Sequence, residues 1–253
     1  VEIKPADRII AAMDFQNAEP VYALAKVLKG KVGALKVGLE LYTAYGPVLI
    51  ERLQGEGYNI FLDLKFNDIP NTVAGAVRSA AKLGVWMTTI HASAGGNALH
   101  AASVAAKEAK NPLLIMGVTL LTSIDITSWA EMFPKRLLQP FYNKNEQIDV
   151  YLKSIYEEYI SNMANLCIKY GMNGIVCSPL ETAALRRNLG REVIIVTPGI
   201  RLPDSEIGDQ KRFTTPEEAI RAGADYLVIG RPITRSVDPI KAVEEISKRM
   251  EGI

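Results

Sequence analysis

The chain has 253 residues, 48% of them hydrophobic, with 29 Lys and Arg against 28 Asp and Glu, for a net charge of +1. Near-neutrality excludes a polybasic binder of nucleic acid or anionic membrane, and no apolar run approaches the roughly 20 residues that span a bilayer. Two cysteines outside any CxxC spacing, two histidines and no signal-peptide pattern exclude a disulfide framework and a His-rich metal site, so a cytoplasmic α/β protein of enzyme size is expected.

Asp7 to Asp14 is a short apolar run that ends in an acid. After Asn17, a suitable N-cap, Val21, Leu24, Ala25 and Leu28 recur at helical spacing as far as Gly30. Ala34 to Gly38 reads as a second strand carrying Lys36. Leu39 to Gly57 reads as a helix interrupted at Gly46-Pro47. Ile60 to Lys65 is the third strand, and Thr72 to Leu83 the helix that follows it. Trp86 to His91 and Pro112 to Val118 are strands on either side of a helix over Ala98 to Ala109. Ser123 to Ile148, with Trp129, Phe133-Pro134 and Gln139-Pro140-Phe141-Tyr142, is longer than an ordinary strand-to-helix connection and reads as an insertion with helical pieces. A long helix runs from about Val150 to Tyr170. Strands at Gly174 to Cys177, Val193 to Val196 and Tyr226 to Ile229 then alternate with helices at Leu180 to Asn188, Pro216 to Ala222 and Asp238 to Met250. Thr197 to Phe213 reads as a polar loop.

Strands that alternate with helices pair in parallel through right-handed crossovers. Eight regular units without a compositional break favour closure into one (β/α)₈ TIM barrel over residues 1–253, with the insertion at about 123–148 after the fifth strand. A doubly wound open sheet fits the alternation less well, because eight units complete a barrel.

In such barrels the C-terminal strand ends form the active face. Read in order, those ends supply Asp14, Lys36, Asp63 with Lys65, and His91. Side chains alternate along a strand, so Phe61, Asp63 and Lys65 share one face while Ile60, Leu62 and Leu64 share the other. A structural ion pair reaching solvent explains any one of these charges, but not three successive strands doing the same. Interleaved carboxylates and ammonium groups offset one another's desolvation and can stand together in a partly dry pocket. At the other end of the chain, Thr197-Pro198-Gly199-Ile200-Arg201, Gly208-Asp209-Gln210 and Gly230-Arg231-Pro232 follow the last two strands. Each glycine alone is explained by a tight turn. As a pair on adjacent strands they suit a phosphate cradle of backbone N–H groups, with Arg231 as the cation and Gln210 as an amide donor.

Other features carry less. His91 fits a hydrogen-bonded barrel residue better than a general base. Gly95-Gly96 lacks the surrounding spacing of a dinucleotide loop. Cys177 has no lysine or histidine placed to activate it. The charges of Ile240 to Glu251 read as a solvated helix face, and Tyr151, Tyr156 and Tyr159 as packing on the long helix.

Asp63-x-Lys65-x-x-Asp68-Ile69-Pro70-Asn71-Thr72 closely resembles the signature of the orotidine 5′-phosphate decarboxylase family. Asp14, Lys36 and the loops carrying Arg201, Gln210 and Arg231 are similar to that family's bacterial form, so the resemblance runs from Asp14 to Arg231. It implies decarboxylation of orotidine monophosphate to uridine monophosphate, the last step of pyrimidine synthesis, without a cofactor or metal. It implies that Lys65 protonates C6 as carbon dioxide leaves, and that Asp63 faces the departing carboxylate and holds Lys65. Asp14 and Lys36 would bind the ribose hydroxyls, Lys36 also joining the charge network. Thr122 or Ser123 would read the pyrimidine amide, and Arg201, Gln210, Gly230 and Arg231 would hold the phosphate. Asp68 and Thr72 would reach into a neighbouring subunit, which implies a homodimer with shared sites. The nearest rival is a magnesium-dependent 3-keto-gulonate 6-phosphate decarboxylase, which shares Asp-x-Lys-x-x-Asp. Ile69-Pro70-Asn71-Thr72 and Gly208-Asp209-Gln210 weigh against it. A non-catalytic nucleotide-binding barrel is disfavoured by the intact Asp63, Lys65 and Asp68.

Overall fold

Short apolar runs separated by amphipathic helices leave each strand buried on both faces, which a closed parallel sheet provides. The computed structural model describes residues 3–134, 147–202 and 214–253. Its strands are β1 (Ile9–Ala12), β2 (Ala34–Gly38), β3 (Ile60–Phe66), β4 (Met87–His91), β5 (Leu114–Val118), β6 (Gly174–Val176), β7 (Ile194–Pro198) and β8 (Tyr226–Ile229). They pair in parallel in sequence order and β8 closes on β1, giving the expected (β/α)₈ barrel.

The helices form because their apolar residues recur along one side. In α1 (Ala18–Leu28) the buried set is Val21, Leu24, Ala25 and Leu28, the stripe read from the sequence, together with Ala18. Asn17 stands at its N-cap in an extended conformation but makes no capping bond with its side chain. The next helices are α2 (Leu39–Gly55), α3 (Pro70–Lys82) and α4 (Gly96–Lys107). Gly46 breaks α2 with φ 58, at the interruption expected from Gly46-Pro47. The third helix begins at Pro70 rather than Thr72, because the ring presets φ for a first helical turn.

Past β5 the chain forms α5 (Ile126–Ala130) and the long α6 (Gln147–Lys169). Residues 135–146 of the expected insertion, including Gln139 to Tyr142, lie outside the described residues. After β6 come α7 (Pro179–Leu189), α8 (Pro216–Arg221), α9 (Arg231–Thr234) and α10 (Pro239–Arg249). Both α7 and α8 begin with reciprocal capping boxes, Ser178 with Glu181 and Thr215 with Glu218. The loop expected from Thr197 starts later, since Thr197 and Pro198 still belong to β7 and Ile200 bridges Thr214. The one-turn α9 and the 3₁₀ turns at Pro5–Arg8 and Ala92–Ala94 are too short to show a period in sequence.

Alternation splits the core in two. Ile10, Ala12, Ala34, Phe61, Met87, Met116, Val196 and Val228 fill the barrel interior. The opposite faces of the strands pack against the helices in a larger shell containing Ile9, Leu35, Leu62, Ile90, Ile115 and Leu227. Interior positions near the C-terminal ends are therefore open to polar residues. Among the described residues, no helix is long and apolar enough to cross a membrane.

Candidate active site

A cavity of about 640 Å³ opens at the C-terminal end of the barrel. That volume suits a small organic ligand. Its lining includes Asp14, Lys36, Asp63 and Lys65 on one side, with Gly199, Arg201, Gly230 and Arg231 on the other. The strand parity explains the first group. Residues 61 and 63 of β3 alternate inward together, so the side chain above buried Phe61 is Asp63. Ala34 and Lys36 repeat the step on β2, and Asp14 follows the inward Ala12 beyond the end of β1.

These charges form one chain of contacts. Lys36 Nζ donates to Asp14 Oδ1 at 3.0 Å and lies 3.8 Å from Asp63 Oδ2. Lys65 Nζ donates to the same Asp63 oxygen at 2.7 Å. Lys36 and Asp63 are each only 9% exposed, whereas Asp14 lies open to solvent. Asp63 is thus a buried anion between two cations, a compensation that burial of the charge requires. Its other oxygen, Oδ1, accepts a bond from Thr89 Oγ1 at 3.0 Å.

Lys65 owes its position to an irregularity in β3. Leu62 faces Thr88 and Phe66 faces Ile90, so the ladder to β4 takes up two extra residues on β3. Lys65 itself has φ 50, the one positive value at a non-glycine position among the described residues. Its backbone N–H, taken out of the ladder, donates to Thr89 Oγ1 at 2.8 Å.

On the facing wall Arg201 is buried, and Gly199 reaches it from β7 with φ 83, a conformation that favours glycine. Gly230 and Arg231 follow β8, as expected, and Arg235 joins the lining one turn later. This side is rich in cations and backbone amides, the other in paired acids and bases. The arrangement can anchor an anionic group at one end of a ligand and present an ammonium held by a carboxylate to the other.

The remaining expectations divide. Thr122 lines the cavity, but Ser123 is exposed and outside its lining. Asp68 and Thr72 are exposed and also outside it; Asp68 accepts a bond from the Ile69 N–H at 2.6 Å and borders a separate shallow depression with Ser93, Gly95 and Tyr170. Gln210, with Gly208 and Asp209, lies outside the described residues. His91 is half-buried beyond the lining, with no hydrogen bond to its ring among the described residues, contrary to the bonded role expected. Burial first and then Lys65 push its pKa down, with Asp63 opposing. Cys177 lines the cavity from a buried position, and burial pushes its thiol up to about 12, which leaves it a poor nucleophile.

Sequence reasoning missed Thr89 and Arg235. Thr89 stands midway between Met87 and His91, so inward parity was a usable signal. Arg235 follows a single helical turn and carries no strand parity at all.

Residues 7–246 match the model of the family described as Orotidine 5′-phosphate decarboxylase / HUMPS. This chain belongs to that family. Within the orotidine 5′-phosphate decarboxylase / HUMPS family it is similar to proteins named orotidine 5′-phosphate decarboxylase, and it is accordingly an enzyme. The one from Coxiella burnetii (strain RSA 493 / Nine Mile phase I) is 45% identical, over 97% of this chain and 97% of the relative. The one from Nitrosospira multiformis is 43% identical, over 97% of this chain and 95% of the relative. The crystal structure of orotidine 5′-phosphate decarboxylase from Lactobacillus acidophilus is 33% identical with a TM-score of 0.77, covering 96% of this chain and 99% of the other.

Proposed function

We propose that the enzyme converts orotidine monophosphate to uridine monophosphate and carbon dioxide without a cofactor, closing pyrimidine synthesis in the cytoplasm. The observation that carries this reading is the Lys36–Asp63–Lys65 contact chain facing the Arg201 and Arg231 wall across one cavity. The substrate carries a phosphate at one end and a ring carboxylate at the other, which matches a two-ended site.

In this reading the C6–carboxylate bond breaks, its electron pair stays on C6, and carbon dioxide departs. A proton moves from Lys65 Nζ to C6. Asp63, hydrogen-bonded to that nitrogen at 2.7 Å, fixes where the proton is offered and faces the leaving carboxylate. Asp14 and Lys36 take the ribose hydroxyls, and Thr122 or Ser123 reads the pyrimidine amide. Arg201, Gln210, Gly230 and Arg231 hold the phosphate. Binding energy gained there, far from the reacting bond, serves to position the ring. Asp68 and Thr72 serve the site of a second subunit; their exposure and their absence from the lining of their own cavity support a shared-site homodimer. Residues at about 123–148 are read as an insertion after the fifth strand.

The test is the fall in ultraviolet absorbance when purified protein meets orotidine monophosphate with EDTA present. Turnover is expected under those conditions, and none on a keto-sugar phosphate. Dependence on added magnesium together with turnover of 3-keto-gulonate 6-phosphate would favour the rival reaction. Tight binding of uridine monophosphate without any turnover would leave a binding module.

A further inference from the structure

We propose that Thr89 is a positioning residue for the reaction, setting both the orientation of Asp63 and the backbone turn that presents Lys65. This role rests on the decarboxylation read above. Thr89 sits on β4 with no exposed surface, facing into the barrel beside the charged chain. Its hydroxyl meets two groups: the Lys65 N–H at 2.8 Å and Asp63 Oδ1 at 3.0 Å.

The direction of these bonds follows from proton counting. A backbone N–H can only donate, so Thr89 Oγ must accept from Lys65. The hydroxyl has a single proton, and that proton is then free to point at Asp63, whose ionised oxygens only accept. One buried atom therefore ties the carboxylate and the lysine backbone into a fixed relation. Lys65 Nζ bonds Asp63 Oδ2 at 2.7 Å, so the three contacts close a ring through Thr89, Asp63 and the Lys65 side chain back to the Lys65 backbone.

The ring matters because Lys65 is not at rest in an easy conformation. Its φ of 50 lies in the left-handed region, where the Cβ crowds the backbone carbonyl of an L residue. The two-residue register slip takes its N–H away from an ordinary strand partner. Thr89 supplies the replacement acceptor, without which a donor at this position would lack its bond. Thr88, on the other face of β4, donates to the Leu62 carbonyl at 2.9 Å and secures the slip where it begins. A purely structural role for Thr89 would need only an acceptor for the N–H. The donation to Asp63 is what links the fold to the chemistry.

The experiment compares Thr89→Val, which keeps the shape and removes the hydroxyl, with Thr89→Ser, which keeps the hydroxyl. For T89V we expect kcat on orotidine monophosphate to fall about 10–100-fold. KM and the dissociation constant for uridine monophosphate should stay within about twofold of wild type, since the phosphate and ribose contacts remain. T89S should restore most of kcat. A T89V enzyme turning over at nearly the wild-type rate, or a T89S enzyme as slow as T89V, would overturn the role. A matched rise in KM and in the uridine monophosphate dissociation constant with kcat intact would overturn it too. Circular dichroism establishes folding; if T89V does not fold, Thr89→Cys, close in volume but a weak donor, takes its place against T89S with the same expectations. Wild-type protein inactive on orotidine monophosphate would overturn the proposed reaction itself and this role with it, an outcome distinct from an active wild type with an unimpaired T89V.

Discussion

Lys65 combines a left-handed backbone, an ion pair with a buried acid and a place in the cavity lining. Replacing it with Ala should cut turnover by about a thousandfold or more, because the proposed reaction would lose both its proton source and the positive charge beside C6. Binding of uridine monophosphate, measured by calorimetry, should survive in part; a K65A enzyme near the wild-type rate would refute the assigned role. In the proposed reading Arg231 acts at the other end, on the phosphate. Removing its charge-assisted bonds to a phosphate should cost about 1.5–3 kcal/mol, which appears mainly as a KM raised roughly 10–100-fold in steady-state assays. A smaller loss of kcat fits remote binding energy used to position the ring. Both residues were legible in the sequence, Lys65 from strand alternation and Arg231 from its place after the eighth strand. For Thr89 parity gave only an inward direction; its partners, the Lys65 N–H and Asp63, depend on the ladder between β3 and β4.

Individual elements carry predictions independent of chemistry. Glu181, in the capping box of α7, is held by the Ser178 N–H, yet burial pushes its pKa from 4.5 up to about 7, with Glu157 adding to the rise. The folded state therefore binds this proton more tightly than the unfolded chain. Stability from this group is full below about pH 4.5 and falls as pH rises towards 7, by on the order of 2–3 kcal/mol. Glu181→Gln keeps an acceptor for the cap and removes the titration. Its thermal midpoint should match wild type at pH 4.5 and exceed it by several degrees at pH 8, followed by calorimetry. His91 works in the opposite sense, since its lowered pKa means that stability is lost as pH falls below about its ordinary 6.5. Comparing E181Q with wild type cancels that contribution. Gly174 illustrates a different constraint: a Cβ there would meet the Ile194 carbonyl oxygen at 2.1 Å, where β6 pairs with β7. Gly174→Ala should destabilise by about 1–3 kcal/mol or more, read as a lowered denaturant midpoint.

At the scale of the whole molecule, the single chain brings together only part of the predicted site. Asp14, Lys36, Asp63, Lys65, Thr122, Arg201, Gly230 and Arg231 converge on one cavity, while Asp68 and Thr72 are exposed and outside its lining. Ile69, beside Asp68, leaves 67% of its surface in solvent, an apolar exposure that suits a covering partner. If two chains share their sites, inactive Asp68→Ala and Lys65→Ala subunits should complement each other. Each mixed dimer would hold one intact site and one doubly altered site, so an equal mixture should regain about a quarter of wild-type activity. A heterodimer demonstrated by mass spectrometry yet still inactive would count against sharing.

The sequence by itself determined the barrel, the inward parity of its strands and most of the charged residues at their ends. Those properties depend on local periodicity, which a chain carries wherever it is read. Only the tertiary structure decided the slip between β3 and β4, the left-handed turn at Lys65, the bridging hydroxyl of Thr89 and the place of Arg235 in the cavity wall. Each depends on the register between segments apart in sequence, and register is an outcome of packing the whole barrel at once.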